Sequence, residues 1–406
     1  MHRGLTHAVC LLGLLSAGGR SLSHARDAAP TKSIVPIPSL SGTEVQNGWI
    51  SLFDGRTLFG WQPNSEMNWS VENGVIRADR GKPGLLLTTF ELADYEFRCD
   101  YRLEKGGNSG IFLRTPFSPK NPAKDCYELN MCDSHPGFPT GSIVGRKKAD
   151  GTFRGEGEWM TMFARVEGNR ITARLNNQPV IDFIDESSNR LRVGRIGLQM
   201  NGGAVEFRNV CLRPLSTKDV FNRRDLAGWE LVPGSKTHFS VVDGTIHASG
   251  GPGFLETEST WANFCLQFAA RTNGSALNSG IFFRALQGTA REPSNGYELQ
   301  IHNGFKHGDR SDPMDAGTGA IYRRTKARWV IPDDRAWFTA TLIANRAHVS
   351  VWVNGVQVTD WTDTRPPNPN PRRGLSLTAG HMSLQGHDKT TDLNFRNIRV
   401  GEIPSQ

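Results

Sequence analysis

The stretch Asn108-Ser109-Gly110-Ile111-Phe112-Leu113-Arg114 returns 170 positions later as Asn278-Ser279-Gly280-Ile281-Phe282-Phe283-Arg284. The same offset carries Tyr127-Glu128-Leu129 onto Tyr297-Glu298-Leu299. Two blocks held in one register identify a tandem duplication in which each half is a whole domain, not a short solenoid repeat. Asn-Ser-Gly reads as a turn, and Ile-Phe-Leu-Arg as a strand with alternating sides. Two apolar side chains then pack inward, while the arginine faces the other way as an anchor for a polar ligand.

Outward from this block, the same texture continues. Phe97, Cys99, Tyr101 and Leu103 share one side of a strand; Glu96, Arg98, Asp100 and Arg102 share the other. One wet and one buried face is the habit of antiparallel sheets. Asn73-Gly74, Asp243-Gly244 and Asn354-Gly355 are tight-hairpin pairs, because both central residues need positive φ. No stretch of ten or more residues carries a helical period. The reading is all-β, with two sandwiches or jelly rolls in tandem over 46–215 and 216–402, joined near Pro214 to Lys218.

Arg3, a short apolar core from Ala8 to Ala17 and Ser23-His24-Ala25 fit a secretory signal over 1–25. The proline-bearing stretch 26–45 reads as a disordered leader. The expectation is export to a periplasm or the exterior, with no membrane span. The chain of 406 residues has a formal charge of +7, but 40 acidic residues are dispersed among the basic ones, so a nucleic-acid partner is not expected. Past residue 25, Cys99, Cys126, Cys132, Cys211 and Cys265 remain. The odd number leaves at least one unpaired in a monomer, and whether Cys126 and Cys132 bridge stays open.

The chemistry-bearing residues lie on the middle strands. Alternation places Glu128 and Asn130 on one side of their strand, with Asp133, Lys147 and Glu158 nearby in sequence. Glu298, Gln300 and His302 line up likewise in the second half, with His387 further on. A carboxyl moves protons, an amide fixes hydroxyls, and an imidazole serves as base or metal ligand. The alternative is an ordinary solvated sheet face. No nucleophile elbow, phosphate loop or His-Glu-x-x-His is present. A jelly roll can hold Ca²⁺ through Asp and carbonyl oxygens, although no diagnostic loop stands out.

Taken together, Leu52-Phe53-Asp54-Gly55 leading to Gly60-Trp61, the Asn-Ser-Gly-Ile-Phe-x-Arg block and Tyr-Glu-Leu resemble the 3-keto-disaccharide hydrolase (DUF1080) family. Gly157-Glu158-Trp159, Thr318-Gly319-Ala320-Ile321-Tyr322, Leu384-Gln385-Gly386-His387 and Phe-Arg-Asn add to the resemblance. It implies a concanavalin-like jelly roll acting on sugars oxidised at C3. A base removes the C2 hydrogen, the glycosidic oxygen leaves C1, and water adds back for net hydrolysis. On this chain it casts Glu298 or His387 as base and Arg284 as anchor or oxyanion partner. Gln300, Gln385 and Tyr322 would contact the sugar in the second half, and Arg114, Glu128 and Asn130 in the first. The family's Leu-Gln-Asp-His-Gly survives here as Leu384-Gln385-Gly386-His387-Asp388, whereas the first half reads Leu198-Gln199-Met200-Asn201-Gly202. Catalysis is therefore expected mainly in the second half. A lectin-like carbohydrate binder and a structural partner are the alternatives. Aglycone, anomer and oligomeric state stay open.

Overall fold

The structure, a computed structural model, describes residues 39–405. The stretch 1–25 and the leader up to residue 38 lie outside the described residues. Alternating apolar runs form two sandwiches, each pairing an eight-stranded sheet with a five-stranded one. Each sandwich closes around its own core. Phe97, Cys99, Tyr101 and Leu103 are all buried in the first, and Phe264, Leu266, Phe268 and Ala270 in the second. All three hairpin pairs take two-residue turns with positive φ at both positions, as at Asn354 (47°) and Gly355 (78°).

The five-stranded sheets position the candidate site. In the second sandwich the order is Trp229–Leu231, Gly253–Thr257, His381–Gly386, Ser279–Ala285, Tyr297–Ile301. Leu255, Leu384, Ile281, Phe283 and Leu299 point from it into the core. Period 2 then sends Glu256, Ser383, Phe282 and Glu298 to the outer face in one row, and Phe254, Gln385, Gly280 and Gln300 in the next. The first sandwich repeats the plan with Leu87, Gly197, Phe112 and Glu128, then Leu85, Gln199, Gly110 and Asn130.

The sandwiches share a packed junction. Trp352, from the second, is buried within the core cluster of the first, edge-on to Phe90, and its Nε1 donates to Ser51 O at 2.9 Å. Thr89 Oγ1 donates to Asp360 at 2.7 Å, and Arg328 pairs with Asp54 at 3.1 Å. The expected leader is corrected at its end. Gly42–Gln46 is a helix capped reciprocally by Ser41 and Glu44, and Glu44 also pairs with Arg98 at 2.7 Å. A cleft of about 430 Å³ opens beside this helix, away from the rows described above. All five described cysteines are buried free thiols, so Cys126 and Cys132 are not bridged.

Candidate functional site

Glu298 stands on the outer face of the Tyr297–Ile301 strand, opposite Phe282 and next to Gly280. Gly280 is the floor of the site, since a Cβ there would lie 3.0 Å from both Cγ and Oε1 of Glu298. The carboxyl leans into that space and is 5 % exposed. Burial pushes its pKa up to about 7, against the lowering influence of Arg372 and His387. A carboxyl held near neutrality on a sheet face can accept or return a proton at physiological pH.

Around it stand two buried amides. Gln300 Nε2 donates to Asp315 Oδ2 at 2.9 Å and to Asp315 O at 3.1 Å, leaving Oε1 without a partner. Gln385 Oε1 is likewise buried and unpartnered. Orphaned acceptors of this kind cost roughly 1–3 kcal/mol each unless a donor arrives. His387 lies at the rim, 43 % exposed, with Nδ1 at 3.0 Å from Asp388 Oδ2. Asp388 is held down at about 2 by hydrogen bonds from Thr390 and by His387. Its carboxylate accepts a hydrogen bond from Nδ1–H, which leaves Nε2 as the ring nitrogen open to a ligand. Tyr322 is fixed beside the site by its backbone, N–H donating to Glu298 O at 2.9 Å, while its ring packs on Arg323.

Arg284 and Arg114 require a correction. Each sits at a bulge with φ near +49° and +48°, where Gly380 and Gly194 pass so close that a Cβ would meet the arginine carbonyl carbon at 2.4 Å. The bulge breaks the alternation and swings the guanidinium to the end of the sandwich. Arg284 donates to the carbonyls of Ala262 (2.6 Å), Arg346 (2.7 Å) and Ser376 (3.1 Å). Arg114 likewise holds Ala93, Gly168 and Leu191, and pairs with Asp94. Both fasten loops instead of facing a ligand. Burial draws Arg284 down to about 10.

Other sequence candidates also divide. Asp133 spends its oxygens on Thr140 and on the backbone of Gly155 and Glu156, and Lys147 pairs with Asp150 at the surface. His302 Nδ1 accepts from Gly304 N. The Trp and Phe-Arg-Asn motifs meet on the outside of the large sheets. Arg102 and Arg208 both stack on Trp159, and Arg271 and Arg396 on Trp337.

The first sandwich keeps the floor and the acid. A Cβ on Gly110 would lie 3.1 Å from Glu128 Oε1, and burial raises Glu128 to about 7, with Gln199 alongside. Its face is otherwise apolar: Leu85, Leu87, Phe112 and Cys126 cluster under Phe117. Asn130 Nδ2 donates to Phe138 O, in its own loop.

Sequence reading did not find Arg372, Asp315 or Glu256. Arg372 Nη2 stands 3.2 Å from Glu298 Oε2, and its guanidinium lies 4.8 Å from the Phe282 ring. Asp315 arrives on a distorted 3-10 turn, Met314–Ala316, with φ of 43°, and accepts from Gln300 and Asn278. Glu256 takes the place of Leu87 in its row and accepts from Gly288 N at 3.1 Å. For Asp315 and Arg372 the signals were two length differences between the halves, 303–317 and 364–375, which the shared motifs obscured; for Glu256 it was the exchange of Leu87 for a carboxylate in an equally long strand. Among the described residues no group of three or more His, Cys, Asp and Glu is placed to hold a metal ion, and no helix is long and apolar enough to cross a membrane.

Comparison with known proteins follows the duplication. A 78-residue stretch, 16 % of this chain, is 32 % identical to a 3-keto-disaccharide hydrolase of Bacteroides thetaiotaomicron and spans 27 % of that protein's length. A solved candidate glycosyl hydrolase of Parabacteroides distasonis is 21 % identical, with a TM-score of 0.38 over 43 % of this chain and 98 % of its own. The carbohydrate-binding module CBM66 of Bacillus subtilis is 21 % identical, with a TM-score of 0.30 over 38 % of this chain and 95 % of its own. The model of the 3-keto-alpha-glucoside-1,2-lyase-like domain matches residues 48–213 and again 216–401, most of the chain. The chain belongs to the 3-keto-alpha-glucoside-1,2-lyase-like domain family and carries that domain twice.

Proposed function

We propose that the second sandwich cleaves 3-keto-glycosides by elimination across C1–C2 followed by hydration. The observation that carries this reading is Glu298, raised to about 7 over the Gly280 floor between the unpartnered oxygens of Gln300 and Gln385. A C3 ketone acidifies the C2 hydrogen, so a carboxylate of this strength is a sufficient base. Glu298 takes that proton, and the C2–H electron pair passes into the ring as an enolate. The enolate re-forms the ketone and a C1–C2 double bond while the glycosidic oxygen leaves with its bonding pair. His387, oriented by Asp388, stands at the rim to give that oxygen the Nε2 proton of its imidazolium, and regains a proton from the water that adds in the next step. Water then adds to C1 and a proton to C2, giving net hydrolysis. Gln300 and Gln385 accept sugar hydroxyls.

A two-carboxylate glycosidase is less well supported. Glu256 and Glu298 stand three strands apart, so their Cα atoms are separated by about 14 Å, with Ser383 and Phe282 between. For the first sandwich, the apolar cluster beside Glu128 and Asn201 in the place of His387 favour a supporting or sugar-binding role. Export, with the mature chain starting after Ala25, is part of this proposal and is checked by N-terminal sequencing.

The deciding experiment incubates the protein with 3-keto-disaccharides and with their unoxidised parents, following both sugars and the eliminated glycal-type intermediate. Turnover of the oxidised sugars alone is expected. Cleavage of the parents at equal rate, or binding without any turnover, would refute the reading.

A further inference from the structure

Arg372 is mounted where no counterpart exists in the first sandwich. In both halves the tyrosine of Tyr-Glu brackets a loop. Tyr127 OH donates to Asp185 and accepts from Leu191 N; Tyr297 OH donates to Asp363 and accepts from Ser376 N. Between these fixed points lie five residues in the first sandwich, 186–190, and twelve in the second, 364–375. The longer loop contains Pro366, Pro367, Pro369 and Pro371, and it carries Arg372.

This loop is fastened by its backbone. Arg365 donates to the carbonyls of Pro371 and Gly374, both at 2.9 Å, and Arg324 donates to Arg372 O at 2.7 Å. Asn370 Oδ1 accepts from Arg372 N at 3.0 Å, and Asn370 Nδ2 donates to Asn295. Four prolines and these bonds hold the Arg372 backbone in place with little freedom left to lose. The side chain is spent differently. One nitrogen meets Glu298 Oε2 at 3.2 Å, while Nε and Nη1 have no hydrogen-bond partner among the described residues. The Arg372 side chain is 27 % exposed. A fixed cation beside the base, with open donors directed by a planar fork, is suited to a developing oxyanion.

Resting on the elimination chemistry above, we propose that Arg372 is a catalytic residue of the second sandwich, holding the C3 oxygen of the 3-keto sugar as it becomes an enolate. When Glu298 removes the C2 proton, the carbonyl π pair moves onto O3 and the guanidinium receives that charge. When the pair returns, the C1–O bond breaks and Arg372 is left unchanged. The role assigned by motif to Arg284 thus passes to an arginine outside every repeated block. It also confines the chemistry to one half, since Glu128 has no cation in the corresponding position.

The test uses the full chain with Arg372→Gln and Arg372→Lys, following kcat, KM and exchange of the C2 hydrogen with deuterium oxide. The loop is held by carbonyls of the main chain, so thermal melting of both variants should match the parent. For Arg372→Gln, kcat and C2 exchange should fall together by about 10²–10³, the usual cost of one oxyanion donor. Arg372→Lys should recover part of that loss, and added guanidinium should partly rescue the glutamine variant. Unchanged kcat and exchange, or a rise in KM alone, would overturn the assignment while leaving the elimination reading intact. A parent protein inert toward 3-keto-disaccharides would overturn both.

Discussion

A Cβ on Gly280 would stand 3.0 Å from Cγ and from Oε1 of Glu298, a contact closer than ordinary van der Waals packing allows. The glycine of Asn-Ser-Gly is thus a receptacle for the acid of Tyr-Glu two strand positions away in register. Gly280→Ala should displace the carboxyl, because the Glu298 side chain can rotate away more easily than Leu299 O, which the new Cβ would also approach at 3.1 Å. We expect kcat to fall roughly 10–100-fold with a modest drop in melting temperature from the crowding of Leu299 O, given what a displacement of about 1 Å costs a positioned catalytic group. Full activity in this variant would mean that Glu298 is not the base.

Glu298→Gln and His387→Ala should each reduce turnover by about 10²–10⁴, the range for loss of a general acid or base. Glu128→Gln should weaken it only modestly. In the parent, activity should decline as pH drops below about 7, because the base must be ionised and burial holds Glu298 near that value. Steady-state kinetics between pH 5 and 9 on all three variants checks the division. Loss of activity through Glu128 alone would reverse the assignment of the halves.

Glu128 also makes a prediction about stability. Its folded-state pKa of about 7 lies above the ordinary value of 4.5, so the folded protein binds the extra proton between those limits. The associated stability is complete below about 4.5 and is lost as pH rises through 7. At pH 8 the buried carboxylate costs on the order of 3 kcal/mol by this linkage. Glu128→Gln should therefore stabilise the first sandwich at pH 8 and change it little at pH 5. Urea unfolding at the two pH values supplies the measurement, and an equal effect at both would contradict the burial argument.

Arg284→Met should act on stability. The residue is 2 % exposed and its guanidinium donates to the carbonyls of Ala262, Arg346 and Ser376, each of which would lose that donor. A loss of about 2–5 kcal/mol is expected from leaving buried polar groups unpaired. Active-site titration of the remaining folded protein should then give a kcat near the parent value. A stable variant with low kcat would restore the arginine to the chemistry.

Trp352→Ala tests the junction. The indole is 1 % exposed, packs edge-on against Phe90 with centroids 5.2 Å apart, and donates to Ser51 O. Truncation should cost about 3–5 kcal/mol, as for other buried aromatics. Because the indole is the largest second-sandwich side chain in the core cluster of the first, beside Cys265, Ile343 and Ile403, its loss should weaken the coupling and a single unfolding transition should broaden or split in calorimetry. A unified transition of unchanged midpoint would show that the sandwiches are coupled elsewhere.

Much of this protein was legible as sequence because the determinants are local and written twice. The duplication, the strand alternation around Phe97 to Leu103, and the turns at Asn73-Gly74 and Asp243-Gly244 depend on residues adjacent in the chain. The same holds for the outward position of Glu128 and Glu298, since period 2 fixes which side of a strand each residue takes. Tertiary structure decided what alternation could not. A bulge turned Arg114 and Arg284 from presumed ligand anchors into loop clamps, because one extra residue cancels the strand's two-residue rhythm. The Trp159 and Arg208 motifs met each other on the far sheet, away from the acid. Arg372 reached Glu298 across 74 positions of chain through a proline-rich loop absent from the first half. The charge on Glu298 followed from burial, a property of every neighbour at once. Backbone geometry repeats with the sequence, whereas a carboxyl's surroundings are assembled from segments that the sequence keeps far apart.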